Sequence, residues 1–171
     1  FEIDDLTGVG PYSMYPRTSA IEANQVVNMI GGPYEFENYR AEANVVYQNK
    51  AMMCQYRAVG HPIKCAVTEG LVDQAARKVG MDPVAFRQKN FHADDSYPKK
   101  SVQGMPFENL SHEECMSKML KAMDYEALKA DRDSLRAKGT YRGIGFASFI
   151  EVTNPSAMFY GVGGARISAQ D

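Results

Sequence analysis

IKCAVTEGLVDQAARKVGMDPVAFRQKN, residues 63–90, is the stretch of sequence that decides the fold. Apolar residues recur in it at every fourth position, the spacing that stacks side chains along one face of an α-helix. They are Ile63, Val67, Leu71, Ala75 and Val79. The sequence therefore predicts a helix from Ile63 to Val79.

A second helix follows directly. Gly80 is typical of the position at which a helix stops. Asp82 is suited to cap the next helix, and Pro83 is suited to its first position because proline has no backbone N–H to leave unpaired there. We therefore predict a helix over PVAFRQKN, residues 83–90.

Two further helices are predicted in the second half of the chain. After a polar, turn-rich stretch over residues 93–109, Ser111 and Glu114 form a capping box that opens a third helix. Its predicted apolar face comprises Cys115, Met116, Met119, Leu120 and Met123. A fourth helix is predicted over residues 125–138, with two leucines turned inward, Leu128 and Leu135.

The pattern also predicts strands. EANVVYQN, residues 42–49, is enriched in β-branched and aromatic residues. YRGIGFASFIEV, from Tyr141, alternates as a strand does and is mostly apolar on both faces, so we expect a buried strand. Residues 8–16 are expected to be loop-rich, and the segment from there to Pro33 to be ordered, as either helix or strand. The chain is assigned to the α+β class.

The composition disfavours several classes of protein. The 171 residues are 44% hydrophobic and carry a net charge of −2, which is typical of one soluble domain and gives no basic field for nucleic acid. No apolar run approaches the length of a membrane span. The cysteines, Cys54, Cys65 and Cys115, are too widely spaced for a disulfide framework, so we expect a cytoplasmic protein. Both ends of the chain resemble cuts in a longer polypeptide.

Metal ligation by this chain is not expected. The histidines, His61, His92 and His112, are isolated, and none lies at metal-ligand spacing from another histidine or cysteine. His92 is expected in a polar, solvated loop.

One segment, MCQYRAVGHP at residues 53–62, has the composition of a candidate site. It places Arg57 and a glycine in a tight turn leading into the strongest predicted helix, whose N-terminus favours anionic ligands. The alternative is an ordinary connecting turn in which Arg57 is a surface or ion-paired residue. Spacing alone leaves both interpretations open.

The same segment carries a family resemblance. QYRAVGHP, followed by TEGLVDQAARKVGMDPVAFRQKNF, resembles the large subunits of molybdenum hydroxylases, which have FRG or YRG, then glycine and proline, a helix, and GxDPxxxRxxN. VVYQNK upstream and YRGIGFASFIEVTNPS downstream extend the resemblance over nearly the whole chain. This family includes xanthine dehydrogenase, aldehyde oxidase and aerobic carbon monoxide dehydrogenase.

The resemblance implies that residues 1–171 are a fragment of the molybdenum-cofactor-binding domain of a large subunit. The expected reaction is hydroxylation at carbon with water as the oxygen source. Arg57 aligns with the arginine beside molybdenum and is the implied catalytic residue, and Val59 aligns with a position lining the substrate pocket. The implied cofactor-binding residues are Gln55, Tyr56, Arg57, Ala58 and Gly60. The 2Fe–2S clusters and FAD are expected on partner subunits or domains, and other cofactor loops on the rest of the large subunit.

Departures from the pattern bear on the substrate. Ala58 replaces the cysteine that bridges molybdenum to copper in carbon monoxide dehydrogenases, which disfavours a copper site. Val59 replaces the phenylalanine that stacks on substrates of purine and aldehyde oxidases, so stacking is lost there. A nitrogen heterocycle or an aldehyde is the expected substrate. The alternatives are a non-catalytic structural module of such a complex, or a carbon monoxide dehydrogenase-like subunit.

Overall fold

A computed structural model describes residues 1–12, 20–53 and 56–151. The helices and strands in chain order are β1 (Glu2–Val9), α1 (Ile21–Met29), β2 (Arg40–Tyr47), α2 (His61–Lys78), α3 (Pro83–Asn90), β3 (Lys99–Lys100), β4 (Pro106–Phe107), α4 (His112–Met123) and α5 (Tyr125–Ala137). This mixture confirms the predicted α+β class. Among the described helices, none is both long and apolar enough to cross a membrane.

The first half contains a parallel pair of strands. β1 pairs with β2 in a register running from Glu2 opposite Arg40 to Val9 opposite Tyr47, and α1 lies between the two strands in the chain. The strand predicted at residues 42–49 is confirmed with an earlier start. The loop predicted from Gly8 is wrong at its beginning, because Gly8 and Val9 belong to β1. The acidic residues of β1 weakened the apolar signal that usually predicts a strand.

The segment before Pro33, which the sequence predicted as either helix or strand, forms the helix α1. It buries Ala23 and Val26 and ends at Met29, shortly before Gly31 and Gly32. Gly31 and Gly32 both have positive φ, +90° and +51°, which glycine adopts without steric cost.

α2 confirms the predicted central helix but turns a different face inward. The predicted apolar stripe is largely exposed, at Ile63, Val67, Leu71 and Val79. The buried positions are instead mostly polar: His61, Lys64, Thr68, Glu69, Val72 and Ala76. Charged and hydroxyl side chains on the buried face form hydrogen bonds with α3, with the Gly31 N–H and with the Ile150 carbonyl. Specific polar contacts therefore decide which face is buried in this chain.

α3 begins as predicted. The Asp82 carboxylate accepts hydrogen bonds from the backbone N–H groups of Val84 and Ala85 at 2.8 and 3.1 Å. Tyr125, the first residue of α5, donates a hydrogen bond from its hydroxyl to the other Asp82 oxygen at 3.0 Å. Burial, together with this bond, raises the pKa of Tyr125 to about 12. One carboxylate thus caps α3 and ties it to α5.

α4 is capped differently from the prediction. Ser111 occupies the N-cap position, but its side chain makes no capping hydrogen bond. The Asp94 carboxylate accepts instead from the N–H groups of Glu113 and Glu114 at 3.1 and 2.9 Å. Glu113 returns a bond by accepting from the Asp94 N–H at 2.7 Å. The capping box is therefore built between distant residues, which local spacing does not reveal.

This cap gives a first prediction. Replacing Asp94 with alanine should destabilise the start of α4 by about 1 kcal/mol, the usual value of an N-cap, and so speed amide exchange in residues 112–123 roughly fivefold. Hydrogen exchange measured by mass spectrometry reports this directly. Ser111→Ala is the matched control and should leave exchange unchanged; a larger effect from the serine variant would contradict this assignment of the cap.

The segment Tyr141–Glu151 alternates as predicted but is not a strand. Its inward residues are half-buried, namely Ile144, Phe146, Ser148 and Ile150. The opposite face is exposed, and the segment forms no β-ladder with any residue that the structure describes. The prediction of a strand buried on both faces is therefore wrong, because a strand needs a neighbour to pair with.

The largest cluster of buried apolar residues lies between α2, α3, α4, the start of α5 and this segment. It comprises Tyr34, Val72, Val84, Phe91, Met116 and Tyr125. On α4 only Met116 of the predicted apolar face is fully buried, while Cys115 and Met119 are exposed. His92, predicted to be solvated, is buried beside the Phe107 ring.

Candidate functional site

The candidate site is the turn Tyr56–Gly60 that leads into α2. Tyr56 and Arg57 are exposed, Ala58 and Val59 are half-buried, and Gly60 is buried. The Arg57 side chain is therefore accessible to solvent. Gln55, also implied by the resemblance, lies outside the described residues.

The backbone of this turn is held in one conformation. Ala58 and Gly60 have positive φ, 71° and 74°. The Ala58 carbonyl accepts from the His61 N–H at 2.6 Å, and the Tyr56 carbonyl accepts from the Val59 N–H at 3.2 Å. These bonds close the turn on itself.

Gly60 fixes the turn against α1. A β-carbon added at Gly60 would lie 2.7 Å from the Glu22 carbonyl oxygen and 3.2 Å from the Val26 nitrogen. Only glycine allows this approach, and only glycine adopts its φ freely. The turn is therefore attached rigidly to the β1–α1–β2 unit.

Ala58 holds the same left-handed conformation with a side chain. This conformation costs an ordinary residue roughly 1–2 kcal/mol, and strain of this kind concentrates at functional sites. In the family pattern this position is glycine, which would adopt the conformation freely.

The helix N-terminus offers fewer donors than the sequence indicated. The His61 N–H already donates to Ala58, and Pro62 has no N–H. Two of the first three N–H groups of α2 are thus not available to an anion. The ability of the turn to bind an anion rests mainly on the exposed Arg57 side chain.

Residues 149–151 pack beside this turn. A pocket of about 220 Å³ is lined by Ala58, His61, Pro62, Cys65, Phe149 and Glu151. The Ile150 carbonyl in its wall accepts a hydrogen bond from the Lys64 ammonium and lies 3.3 Å from His61 Nδ1. The sequence analysis missed Lys64 because its partner is 86 residues away.

Burial alters the pKa of both of these groups. Desolvation lowers the pKa of Lys64 to about 8. Desolvation, with the nearby Lys64 charge, lowers the pKa of His61. His61 is therefore neutral near pH 7, and it bonds to the Ile150 carbonyl in the tautomer that carries the proton on Nδ1.

The GMDPVAFRQKN motif has a structural role. Arg87, fully buried, donates through Nε and Nη2 to one Glu69 oxygen at 2.9 and 2.7 Å, and through Nη1 to Asp73 at 2.8 Å. Tyr34 donates to the other Glu69 oxygen at 2.7 Å, and burial together with this bond raises the pKa of the Tyr34 phenol. Arg87 also donates to the Phe146 carbonyl at 3.2 Å. The network holds α2, α3 and the segment Tyr141–Glu151 together.

The described ranges, residues 1–12, 20–53 and 56–151, contain no group of three or more histidine, cysteine, aspartate or glutamate side chains able to hold a metal ion. The chemistry that the described part of the turn offers is hydrogen-bond donation and positive charge from Arg57.

The chain is similar to known proteins. Residues 1–91 match the protein family described as "Molybdopterin cofactor-binding domain". The chain is 31% identical over 157 residues to the nicotine 6-hydroxylase large subunit of Paenarthrobacter nicotinovorans, covering 88% of this chain and 18% of that protein. It is 30% identical over 141 residues to the carbon monoxide dehydrogenase large chain of Hydrogenophaga pseudoflava, covering 77% and 17%.

The fold also has solved counterparts. The structure is similar to that of quinoline 2-oxidoreductase from Pseudomonas putida 86, with a TM-score of 0.71 and 24% identity, over 81% of this chain and 18% of that one. The chain thus spans less than a fifth of the length of each of these three relatives.

Proposed function

The chain belongs to the molybdopterin cofactor-binding domain family, and from that premise we propose that it forms the Arg57 side of the active centre of a molybdenum hydroxylase. The reaction is oxidation of an electron-poor carbon in a nitrogen heterocycle or an aldehyde, with water as the oxygen source. The observation that carries the proposal is an exposed guanidinium on a rigid turn, in the motif that resembles the family's arginine motif.

The turn fits an anionic oxygen-rich cofactor. Arg57 has five N–H donors and no acceptor, and nothing in the described part of the turn neutralises its charge. When bound, the molybdenum–molybdopterin group supplies the redox chemistry. Arg57 donates hydrogen bonds to its oxygens and stabilises negative charge that develops during the reaction.

The neighbouring residues have separate parts in this proposal. Gln55, Tyr56, Ala58 and Gly60 border the cofactor, with Gly60 holding the turn close to α1. Val59 presents a small aliphatic surface to the substrate, which leaves room for a ring without stacking on it. The remainder of the molybdenum subunit, an iron–sulfur subunit with 2Fe–2S clusters and a flavin subunit with FAD are the proposed partners, in the cytoplasm.

The second candidate function is a scaffold that supports such a complex without contacting the reacting atoms. The exposed apolar stripe of α2 favours it, because that surface suits packing against another part of a larger protein. Metal analysis of the complete complex, with turnover of a panel of heterocycles and aldehydes using an artificial electron acceptor, tests the first function. A complex with stoichiometric molybdenum that oxidises none of them would favour the scaffold.

Ala58 carries a prediction about metals. Its methyl group has no lone pair to bind copper, so the complete enzyme should contain molybdenum without stoichiometric copper and should not oxidise carbon monoxide. Metal analysis and a carbon monoxide assay check this together. Copper at one atom per molybdenum, with carbon monoxide oxidation, would instead support the carbon monoxide dehydrogenase-like alternative.

A further inference from the structure

The segment Tyr141–Glu151 is attached to the protein in an unusual way. In the described part of the chain it pairs with no strand, and three of its carbonyl groups are bound by side chains. The Phe146 carbonyl accepts from Arg87 at 3.2 Å, and the Phe149 carbonyl lies 3.2 Å from His112 Nε2. The last of these anchors is the Ile150 carbonyl, bound by the first turn of α2.

Two donors converge on that last carbonyl. Lys64 and His61 lie on the same turn of α2 and are 2% and 8% exposed. Both contact the Ile150 oxygen, Lys64 through its ammonium and His61 through Nδ1. Because the Arg57 turn leads directly into His61, this carbonyl is fixed relative to the turn.

Lys64 is costly at this position. A buried ammonium loses its hydration, and its described protein acceptor is a neutral carbonyl. The ionisable groups around it are His61 and Cys65 on its own helix and Glu151 on the facing segment. Desolvation lowers the pKa of Lys64 to about 8, so burial of the charged form opposes folding at neutral pH. An unbranched apolar side chain would fill the same volume without this cost.

We infer that Lys64 is a positioning residue, which holds the Ile150–Glu151 end of the last described segment against the Arg57 turn and so sets the width of the active centre between them. This inference rests on the proposed function. The pocket between Ala58, Phe149 and Glu151 is the space whose shape the contact controls.

The sign of the stability effect distinguishes positioning from simple structural support. The pKa of Lys64 is lower in the folded state than in the unfolded chain, so the unfolded state binds more protons between about pH 8 and the ordinary lysine value. Stability due to this group therefore rises with pH in that range and is lowest below pH 8. Lys64→Met should thus keep or raise the melting temperature at pH 7, and any gain should shrink above pH 8.

The test compares Lys64→Met with Lys78→Met in the complete complex. Lys78 lies on the same helix and is exposed, far from the turn along α2. We expect Lys64→Met to lower turnover per bound molybdenum about 10-fold, because small misplacements of reacting groups have effects of this order or larger. We also expect faster amide exchange in residues 141–151, with unchanged molybdenum content. Lys78→Met should change none of these quantities.

The outcomes separate the inference from the function it rests on. If the unaltered complex contains molybdenum but oxidises no substrate, the proposed function fails, while faster exchange in residues 141–151 would still support the positioning contact. If the unaltered complex is active and Lys64→Met has normal turnover and normal exchange, the inference alone fails. A lower melting temperature with proportional loss of molybdenum and normal turnover per molybdenum would also overturn it, since that is the behaviour of a structural residue.

Discussion

Replacing Arg57 with methionine in the complete enzyme is expected to lower turnover per bound molybdenum by roughly 10²-fold or more. A preorganised donor beside developing negative charge contributes about 3–4 kcal/mol, and each 1.4 kcal/mol corresponds to about a factor of ten in rate. Methionine keeps the unbranched aliphatic part of the side chain and removes its charge and all its donors. Because Arg57 is exposed on a turn closed by backbone bonds, the fold should persist.

The control is Arg77→Met, at the exposed C-terminal end of α2. It removes the same group at the end of α2 that lies away from the turn, and it should leave turnover unchanged. If Arg57 only tethers the turn, Arg57→Met would keep near-normal turnover per molybdenum and lower the melting temperature. Measuring both quantities for both variants therefore separates catalysis from support.

The largest effect on stability is expected at Arg87. Arg87→Met removes the cation that is bound to the buried Glu69 carboxylate, and breaking a buried ion pair in this way typically costs about 3–5 kcal/mol. It also removes the donor to the Phe146 carbonyl. We expect a large fall in the denaturant midpoint of the complex, or loss of soluble protein.

A second variant keeps this prediction testable if Arg87→Met does not accumulate. Adding Glu69→Met removes the stranded carboxylate, so the double variant should recover much of the lost stability. Arg132→Met is the matched control, because its partner Asp133 is exposed and such pairs contribute little. Equal stability of the Arg87 and Arg132 variants would contradict the importance of the buried network.

The helices were largely predictable because their signals are local. Asp82, Pro83 and the apolar spacing of residues 63–79 act within one or two turns, and the structure places both helices where these signals indicate. The cap of α4 was not predictable in this way. Asp94 lies 19 residues before Glu113, and nothing in the spacing of Ser111 and Glu114 shows that a distant carboxylate takes their place.

The buried face of α2 depends on its partners. Four-residue spacing identifies a helix but does not say which face a neighbour covers, and here Glu69 and Lys64 are drawn inward by Arg87 and a backbone carbonyl. For the same reason the alternation after Tyr141 separated the two faces of the segment, but it showed neither which face is covered nor whether a strand would form. Strand formation needs a pairing partner, which the pattern of one segment does not specify.

The candidate site is indicated by the family resemblance more than by the residue pattern of the turn. The sequence of the turn showed an arginine, a glycine and a following helix, which fit an ordinary connection equally well. The structure adds the left-handed Ala58, the glycine contact with α1 and the approach of Ile150. These are contacts between residues far apart in the chain, so the sequence of the turn alone does not contain them.

The central claim is that Arg57 lies beside molybdenum, and a structure of the assembled, cofactor-loaded complex measures this most directly. The account predicts an Arg57 nitrogen within hydrogen-bond distance, about 3 Å, of an oxygen of the molybdenum cofactor, with Lys64 still bound to the Ile150 carbonyl. A guanidinium that instead forms an ion pair on the surface of the subunit, with the cofactor bound elsewhere, would contradict it.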